Sequence, residues 1–232
     1  MKKVLLILII FSGLITACTL NKQETSQWYY PDWAANAKYN QSIKVLDTES
    51  ALGRYATKTK EISLKDLTLI HGHLCDGLVI SYIEIKAVFR KLFPDGIIDR
   101  TDLRAVSKNG PCWVDAASIM TGARINFETL SIQPEIGNGF IIQKISTGEA
   151  YDVHLKDGIF PQELTLLETK IRTLRKQGKE VLLEDIDKVE KLANDLSKKL
   201  LNTSPEEALD IKKLDDYEYK FSFKSGYTAP KK

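Results

Sequence analysis

Two histidines and a cysteine lie within five residues of the chain, as His71, His73 and Cys75. Outside this stretch, the 232-residue sequence contains few residues of these two types. A thiolate beside neutral imidazoles is a donor set that suits a borderline-soft transition metal such as zinc. The stretch therefore predicts a metal site.

The residues after Cys75 have the apolar rhythm of a helix, which we predict over residues 76–92. Cys75 should then lie at or near a helix N-terminus, where unpaired backbone N–H groups and the helix dipole favour a thiolate. A second cysteine, Cys112, opens another predicted helix at 112–122. We expect the intervening strand, residues 103–107, to bring Cys112 back beside Cys75.

The rest of the chain indicates an α+β fold, with a mostly antiparallel sheet packed against helices. Ser63 and Asp66 have capping-box spacing before a short helix. Alternating or apolar runs predict strands at 127–132, 140–145, 150–155 and 217–223, the last as a terminal strand. Helical spacing at 161–176 and 183–201 predicts a C-terminal helix pair, and residues 49–60 are predicted to carry a short helix.

The N-terminus has the pattern of an export signal. Lys2 and Lys3 precede an apolar stretch, and small residues lead to Cys18. The pattern resembles a bacterial lipoprotein signal with cleavage before Cys18 and lipid, such as palmitate, attached to this residue. We therefore divide the chain into a signal peptide (1–17), a tether and aromatic lead-in (18–45), an α+β core (46–160), and a C-terminal helix pair with a terminal strand (161–232). The mature protein is expected in the cell envelope, tethered to a membrane and facing away from the cytoplasm.

The balance of charges and the number of cysteines limit the classes of function that the sequence allows. The 33 basic and 31 acidic residues nearly balance, and no basic patch of the kind that binds nucleic acid is present. We therefore predict a small molecule or a metal ion as the partner, no nucleic acid, and a homo-oligomer as compatible with the sequence. Export of a protein with two unlipidated cysteines also favours a disulfide, which competes with metal binding at Cys75 and Cys112.

The motifs resemble those of the FmdE family of formylmethanofuran dehydrogenase subunits. The resemblance rests on His-Gly-His-Leu-Cys at residues 71–75 and on Cys-x-Val-Asp-Ala at 112–116 with Thr-Gly at 121–122. It implies an α+β core with a metal site at His73, Cys75 and Cys112. The chain departs from the family pattern at Asp76, where proline is common, and at Ala123, where a further cysteine is common.

Three further residues near these ligands are candidates for a supporting role or for alternative ligation: His71, Asp115 and Asp76. His73 is preferred over His71 because it is nearer Cys75. Asp115, three residues after Cys112, lies on the same helical face and can orient a ligating imidazole. His154 has no motif around it and is expected to be structural or exposed.

Three functions are compatible with this site. The first is binding or handling of a transition metal, or of a metal-containing small molecule, by an exported protein. The second is a metal-dependent hydrolase or lyase, with water in the open position of a three-ligand site. The third is a reversible dithiol made by Cys75 and Cys112. Binding ranks above catalysis because the motif lacks a convincing general base, Asp76 being the only close candidate. Whether the protein is an enzyme stays open.

Overall fold

The structure is a computed structural model that describes residues 28–50, 52 and 57–224. The predicted signal peptide, the lipidation site Cys18 and most of the tether lie outside the described residues. Within the described part of the chain, no helix has both the length and the apolar character needed to cross a membrane.

Helices and strands are interspersed along the chain. The helices are α1 (Asp32–Ala35), α2 (Leu64–His71), α3 (Asp76–Leu92), α4 (Pro111–Thr121), α5 (Gln162–Lys176), α6 (Leu183–Asn202) and α7 (Pro205–Ala208). The strands are β1 (Ile43–Leu46), β2 (Lys60–Ile62), β3 (Ile97–Asp99), β4 (Leu103–Ser107), β5 (Leu130–Ile132), β6 (Gly139–Lys144), β7 (Ala150–Leu155) and β8 (Leu209–Leu214).

Within the described residues, a five-stranded sheet with the order β5-β4-β6-β7-β8 is the larger of two sheets. Its pairs β4–β6, β6–β7 and β7–β8 are antiparallel, and β5 pairs with β4 in parallel. The smaller sheet has the order β2-β1-β3. The predicted α+β class, with a mostly antiparallel sheet and a C-terminal helix pair, is confirmed.

Helix α3 is the centre of the core. Fourteen of its seventeen residues are buried, because it packs against strands β6 and β7 and against helices α4 and α6. A helix surrounded in this way has almost no solvated face, which explains its nearly continuous apolar sequence. Its N-terminal end faces α4, and this contact brings the predicted site residues together.

Two local predictions need correction. The predicted helix at 49–60 lies partly outside the described residues, and its described part forms bends that lead into β2 at Lys60. The last strand of the described residues is β8, whereas residues 217–223 form no regular strand and make one isolated bridge, between Phe223 and Ile132. Pairing with β7 from Leu209 to Leu214 defines β8, and its own sequence alternates too weakly to reveal it.

Candidate metal centre

Helix α2 ends at the first histidine of the motif. A capping box starts this helix, with Ser63 accepting a hydrogen bond from the Asp66 N–H and the Asp66 carboxylate accepting one from the Ser63 N–H. Its last residue is His71, and Gly72 follows in the left-handed conformation with φ 108°, which a residue without a Cβ adopts readily. The chain therefore turns sharply between His71 and His73.

Helices α3 and α4 each begin with a cysteine in the first turn or at the cap. Cys75 is the N-cap of α3, and its sulfur accepts a hydrogen bond from the Leu78 N–H at 3.4 Å. Cys112 is the second residue of α4, after Pro111, which suits the first helical position because proline has no N–H to leave unpaired there. Both sulfurs therefore lie at the positive end of a helix dipole.

The folded chain brings His71, Cys75 and Cys112 into one group. The two sulfurs are 3.4 Å apart, and His71 Nε2 lies 3.8 Å from Cys75 Sγ and 3.7 Å from Cys112 Sγ. Neither cysteine is part of a disulfide bond. This is the group of histidine, cysteine and acidic side chains that can hold a metal ion within the described residues.

Gly77 allows helices α3 and α4 to approach this closely. A Cβ added at Gly77 would lie 3.0 Å from Cys112 Sγ and 3.2 Å from Cys112 Cβ. Both distances are shorter than an ordinary van der Waals contact between such atoms. A side chain at residue 77 would therefore push Cys112 away from Cys75.

Asp115 holds the His71 ring in place. Its Oδ2 accepts a hydrogen bond from His71 Nδ1 at 2.7 Å, and the His71 side chain is only 5% exposed. With Nδ1 in contact with Asp115, Nε2 faces the two sulfurs. Metal-ligating histidines are commonly oriented in this way by a carboxylate.

The three groups shift the pKa values of one another. The hydrogen bond with Cys75, assisted by His71, lowers the pKa of Cys112 to about 5. The same hydrogen bond, together with burial, raises the pKa of Cys75. The hydrogen bond with Cys112 raises the pKa of His71 to about 9, despite burial, and Asp115 adds to this effect. In the absence of metal, these shifts favour a thiolate at Cys112 and a protonated imidazole at His71.

The remaining predicted site residues lie around this group. The sequence-based preference for His73 needs correction, because His71 occupies the place beside both sulfurs. His73 is exposed, with its ring centroid 5.2 Å from that of His71. The reason is that α2 packs against α4, so the last residue of α2 faces Asp115, whereas His73 lies in the turn beyond Gly72.

Asp76 and His154 make no direct contribution to the group. Asp76 is the first residue of α3, and burial raises its pKa to about 6, with the charge of Glu168 adding to the shift. His154 is exposed on β7, with Nδ1 4.0 Å from Asp152 Oδ1.

Comparison with known proteins gives the family. Residues 70–210 match the family described as FmdE, molybdenum formylmethanofuran dehydrogenase operon. The chain belongs to the FmdE family. A solved structure of a tungsten formylmethanofuran dehydrogenase FmdE-like protein from Syntrophus aciditrophicus is similar over 71% of this chain and 75% of that one, with 18% identity and a TM-score of 0.38. No curated protein matches the chain.

The donor atoms of this FmdE chain have the spacing of a tetrahedral zinc site. Zinc–sulfur and zinc–nitrogen bonds of about 2.3 and 2.0 Å place two sulfur ligands about 3.8 Å apart, and a sulfur and a nitrogen about 3.5 Å apart. The observed separations are 3.4 Å between the sulfurs and 3.7 to 3.8 Å from sulfur to nitrogen. Thus one ion fits between the three atoms with small adjustments of the side chains.

Three residues of this FmdE chain were missed by sequence analysis. Gly77 is one, and a glycine inside an otherwise apolar helix is the signal that marks such a close approach. The others are Lys108 and Glu84, for which the sequence offers no signal. Lys108 Nζ lies 3.5 Å from the centroid of the Trp113 ring.

Glu84 is completely buried in the middle of α3. Neither of its carboxyl oxygens has a hydrogen-bond partner of good geometry within the described residues. Burial raises its pKa well above the usual value, while the Leu155 backbone and the charge of Lys108 oppose the shift. A carboxyl group in this environment holds its proton, since an unpaired buried charge is costly.

Proposed function

We propose that this protein binds a transition metal, zinc in the first place, through His71, Cys75 and Cys112. The single observation that carries the proposal is the mutual distance of 3.4 to 3.8 Å among one nitrogen and two sulfurs. Asp115 supports it, because it fixes the ring nitrogen that faces the sulfurs. Three protein ligands leave one tetrahedral position for a small molecule or water, so we propose that the protein binds or handles a metal or a metal-bound small molecule.

Metal analysis of two histidine variants tests this proposal. Full-length protein, purified in detergent with a reductant, is expected to contain about one zinc per chain, as a site with one set of ligands requires. His71→Ala should lose this zinc, because it removes the nitrogen ligand. His73→Ala is the matched control and should keep it, since His73 is exposed outside the group. Zinc lost from His73→Ala and kept in His71→Ala would restore the sequence-based choice of ligand.

The short distance between the sulfurs favours a second candidate function, a reversible dithiol. The sulfurs are 3.4 Å apart, and a disulfide bond of about 2.05 Å requires only a small approach. With glutathione disulfide as the oxidant, the two thiols lose two protons and two electrons, and the oxidant becomes two glutathione thiols. Protein without metal whose Cys75 and Cys112 convert fully and reversibly to one bridge would favour this function over metal binding.

We also propose that the protein is exported and anchored to a membrane by lipid on Cys18. Support comes from the basic start, the apolar stretch and the small residues before Cys18. In cells, wild-type protein should partition with membranes and carry a lipid mass on the peptide that begins at residue 18. Cys18→Ala should leave the precursor without lipid and with its leader uncleaved. Wild-type protein without lipid on Cys18 would overturn this part of the proposal.

A further inference from the structure

Lys108 holds a positive charge near the candidate metal centre. It lies after β4, in the turn that leads to α4. Its Nζ stacks 3.5 Å from the centroid of the Trp113 ring and donates a hydrogen bond to Asn138 Oδ1. An ammonium at this position over an indole is held by a cation–π interaction. The lysine is therefore kept on the side of α4 that carries Trp113.

The Trp113 ring and the Cys112 sulfur both pack against Gly77. A Cβ at Gly77 would lie 3.0 Å from Cys112 Sγ and 3.4 Å from Trp113 Cη2. One edge of the indole therefore approaches the metal-binding sulfur, while its face carries the Lys108 ammonium. Burial, together with the charge of Arg172, lowers the pKa of Lys108, and the charge of Cys112 opposes this shift.

One buried hydrogen-bond donor in contact with Lys108 lacks a partner within the described residues. Trp113 Nε1 is shielded from solvent and has no hydrogen-bond partner within the described residues. The N-cap of α4, Gly110, offers no side chain to the first N–H groups of the helix. A buried N–H donor, an ammonium and the N-terminal end of a helix together favour an anion. The charge of Glu168, on α5, also acts on Lys108, and this carboxylate is already paired with Arg172 at 2.9 Å.

We propose that Lys108 and the Trp113 indole N–H bind the carboxylate of a small anionic ligand that also coordinates the metal. This inference rests on the proposed metal-binding function and names the ligand class for that site. The ligand has a soft or carboxylate donor for the open metal position and a carboxylate a few bonds away for Lys108. The metal binds the donor atom of the ligand, and Lys108 favours a ligand that carries a negative charge.

A matched pair of thiol ligands tests the proposal on cobalt-loaded, full-length protein. The probes are 3-mercaptopropionate and 3-mercaptopropionamide, which have the same length and the same metal donor but differ in charge. Binding is measured from the visible absorption of cobalt. Wild-type protein should prefer the acid about 10-fold, since a hydrogen bond to a charged group contributes about 1.5 to 3 kcal/mol. Lys108→Met should abolish the preference, and Trp113→Phe should reduce it.

Lys144→Met is the matched control, because Lys144 also stacks on an aromatic ring, 4.6 Å from the centroid of Phe93. It should keep the preference. Lys108→Arg should keep most of it, and an unchanged cobalt spectrum without ligand establishes that each variant is folded. Protein that binds no cobalt contradicts the proposed function itself. Protein that binds cobalt but takes the acid and the amide equally, or whose preference survives in Lys108→Met, overturns the anion subsite alone.

Discussion

Polar groups at the beginning and in the middle of helix α3 have opposite surroundings. At the beginning, the Cys75 sulfur accepts a hydrogen bond from Leu78 and contacts the Cys112 sulfur. In the middle, Glu84 is fully buried and has no hydrogen-bond partner of good geometry within the described part of the chain. Both groups belong to the same buried helix, and only one has polar neighbours arranged around it.

The difference shows what makes a buried polar position suitable for chemistry. Helix ends offer free N–H groups, and a second helix end adds more, so a thiolate at Cys112 is stabilised. The middle of a helix offers no free backbone donor, because its N–H groups already bond within the helix. A carboxyl group there is held neutral, and its effect on the protein is a pH-dependent stability rather than ligand binding.

The largest effect in this comparison should come from the support of His71. Asp115→Asn keeps the shape of the side chain but removes the carboxylate that accepts the Nδ1 proton. Zinc affinity should fall about 10- to 100-fold, as is typical when a carboxylate behind a ligating histidine is removed. Competition with a chromophoric chelator measures the change.

Asp152→Asn is the matched control for Asp115→Asn. Asp152 also faces a histidine, with its Oδ1 4.0 Å from His154 Nδ1, but this pair lies on β7 and outside the group. Zinc affinity should stay unchanged in this variant. Equal losses in the two variants would mean that the general loss of charge matters, and not the orientation of His71.

A smaller effect is expected when the spacing of the two helix ends is changed. Gly77→Ala places a methyl group 3.0 Å from Cys112 Sγ, so Cys112 must move away from Cys75. Overpacking of this kind costs about 1 to 3 kcal/mol, and zinc affinity should fall about 10-fold. Gly110→Ala is the control, since its Cβ would approach only the Trp113 ring, at 3.3 Å. If Gly77→Ala binds zinc as the wild-type protein does, close helix approach is not what assembles the site.

The last prediction concerns Glu84, in the buried middle of α3, and its effect is expected in stability and not in zinc affinity. Because burial raises its pKa well above 4.5, the folded protein retains a proton that the unfolded chain releases. This contribution to stability is fully present below the pKa of the unfolded carboxyl group and is lost as the pH rises towards the folded pKa. Lys108 and Asp152 are the charged groups that act on it, in opposite directions.

Glu84→Gln should therefore remove part of the loss of stability that occurs as the pH rises above the pKa of the unfolded carboxyl group. Each pH unit between the unfolded and the folded pKa of Glu84 changes the free energy of unfolding by about 1.4 kcal/mol. Unfolding in urea at a series of pH values measures this change. Glu190→Gln, on the exposed side of α6, should leave the pH dependence of the wild-type protein unchanged. An identical pH dependence in the Glu84→Gln and wild-type proteins would show that Glu84 is already ionised in the fold.

Much of the fold could be predicted because local signals agree with one another. Helix α3 runs over the predicted residues, Asp76–Leu92, since a cap, an apolar rhythm and a terminal turn all indicate the same bounds. Strands β4 and β7 also match their predicted bounds. Strand β8 was missed because only its pairing with β7 distinguishes Leu209–Leu214 from a loop.

The amino-acid sequence by itself determined the chemical types at the candidate site and the helix ends that carry them. Histidine, cysteine and a capping position are properties of short stretches, and short stretches are sufficient to define caps and helical rhythm. Only the tertiary structure decided which histidine joins the cysteines. His71 and His73 are two residues apart, and the contact of α2 with α4, on either side of the left-handed turn at Gly72, directs one imidazole inward and leaves the other exposed.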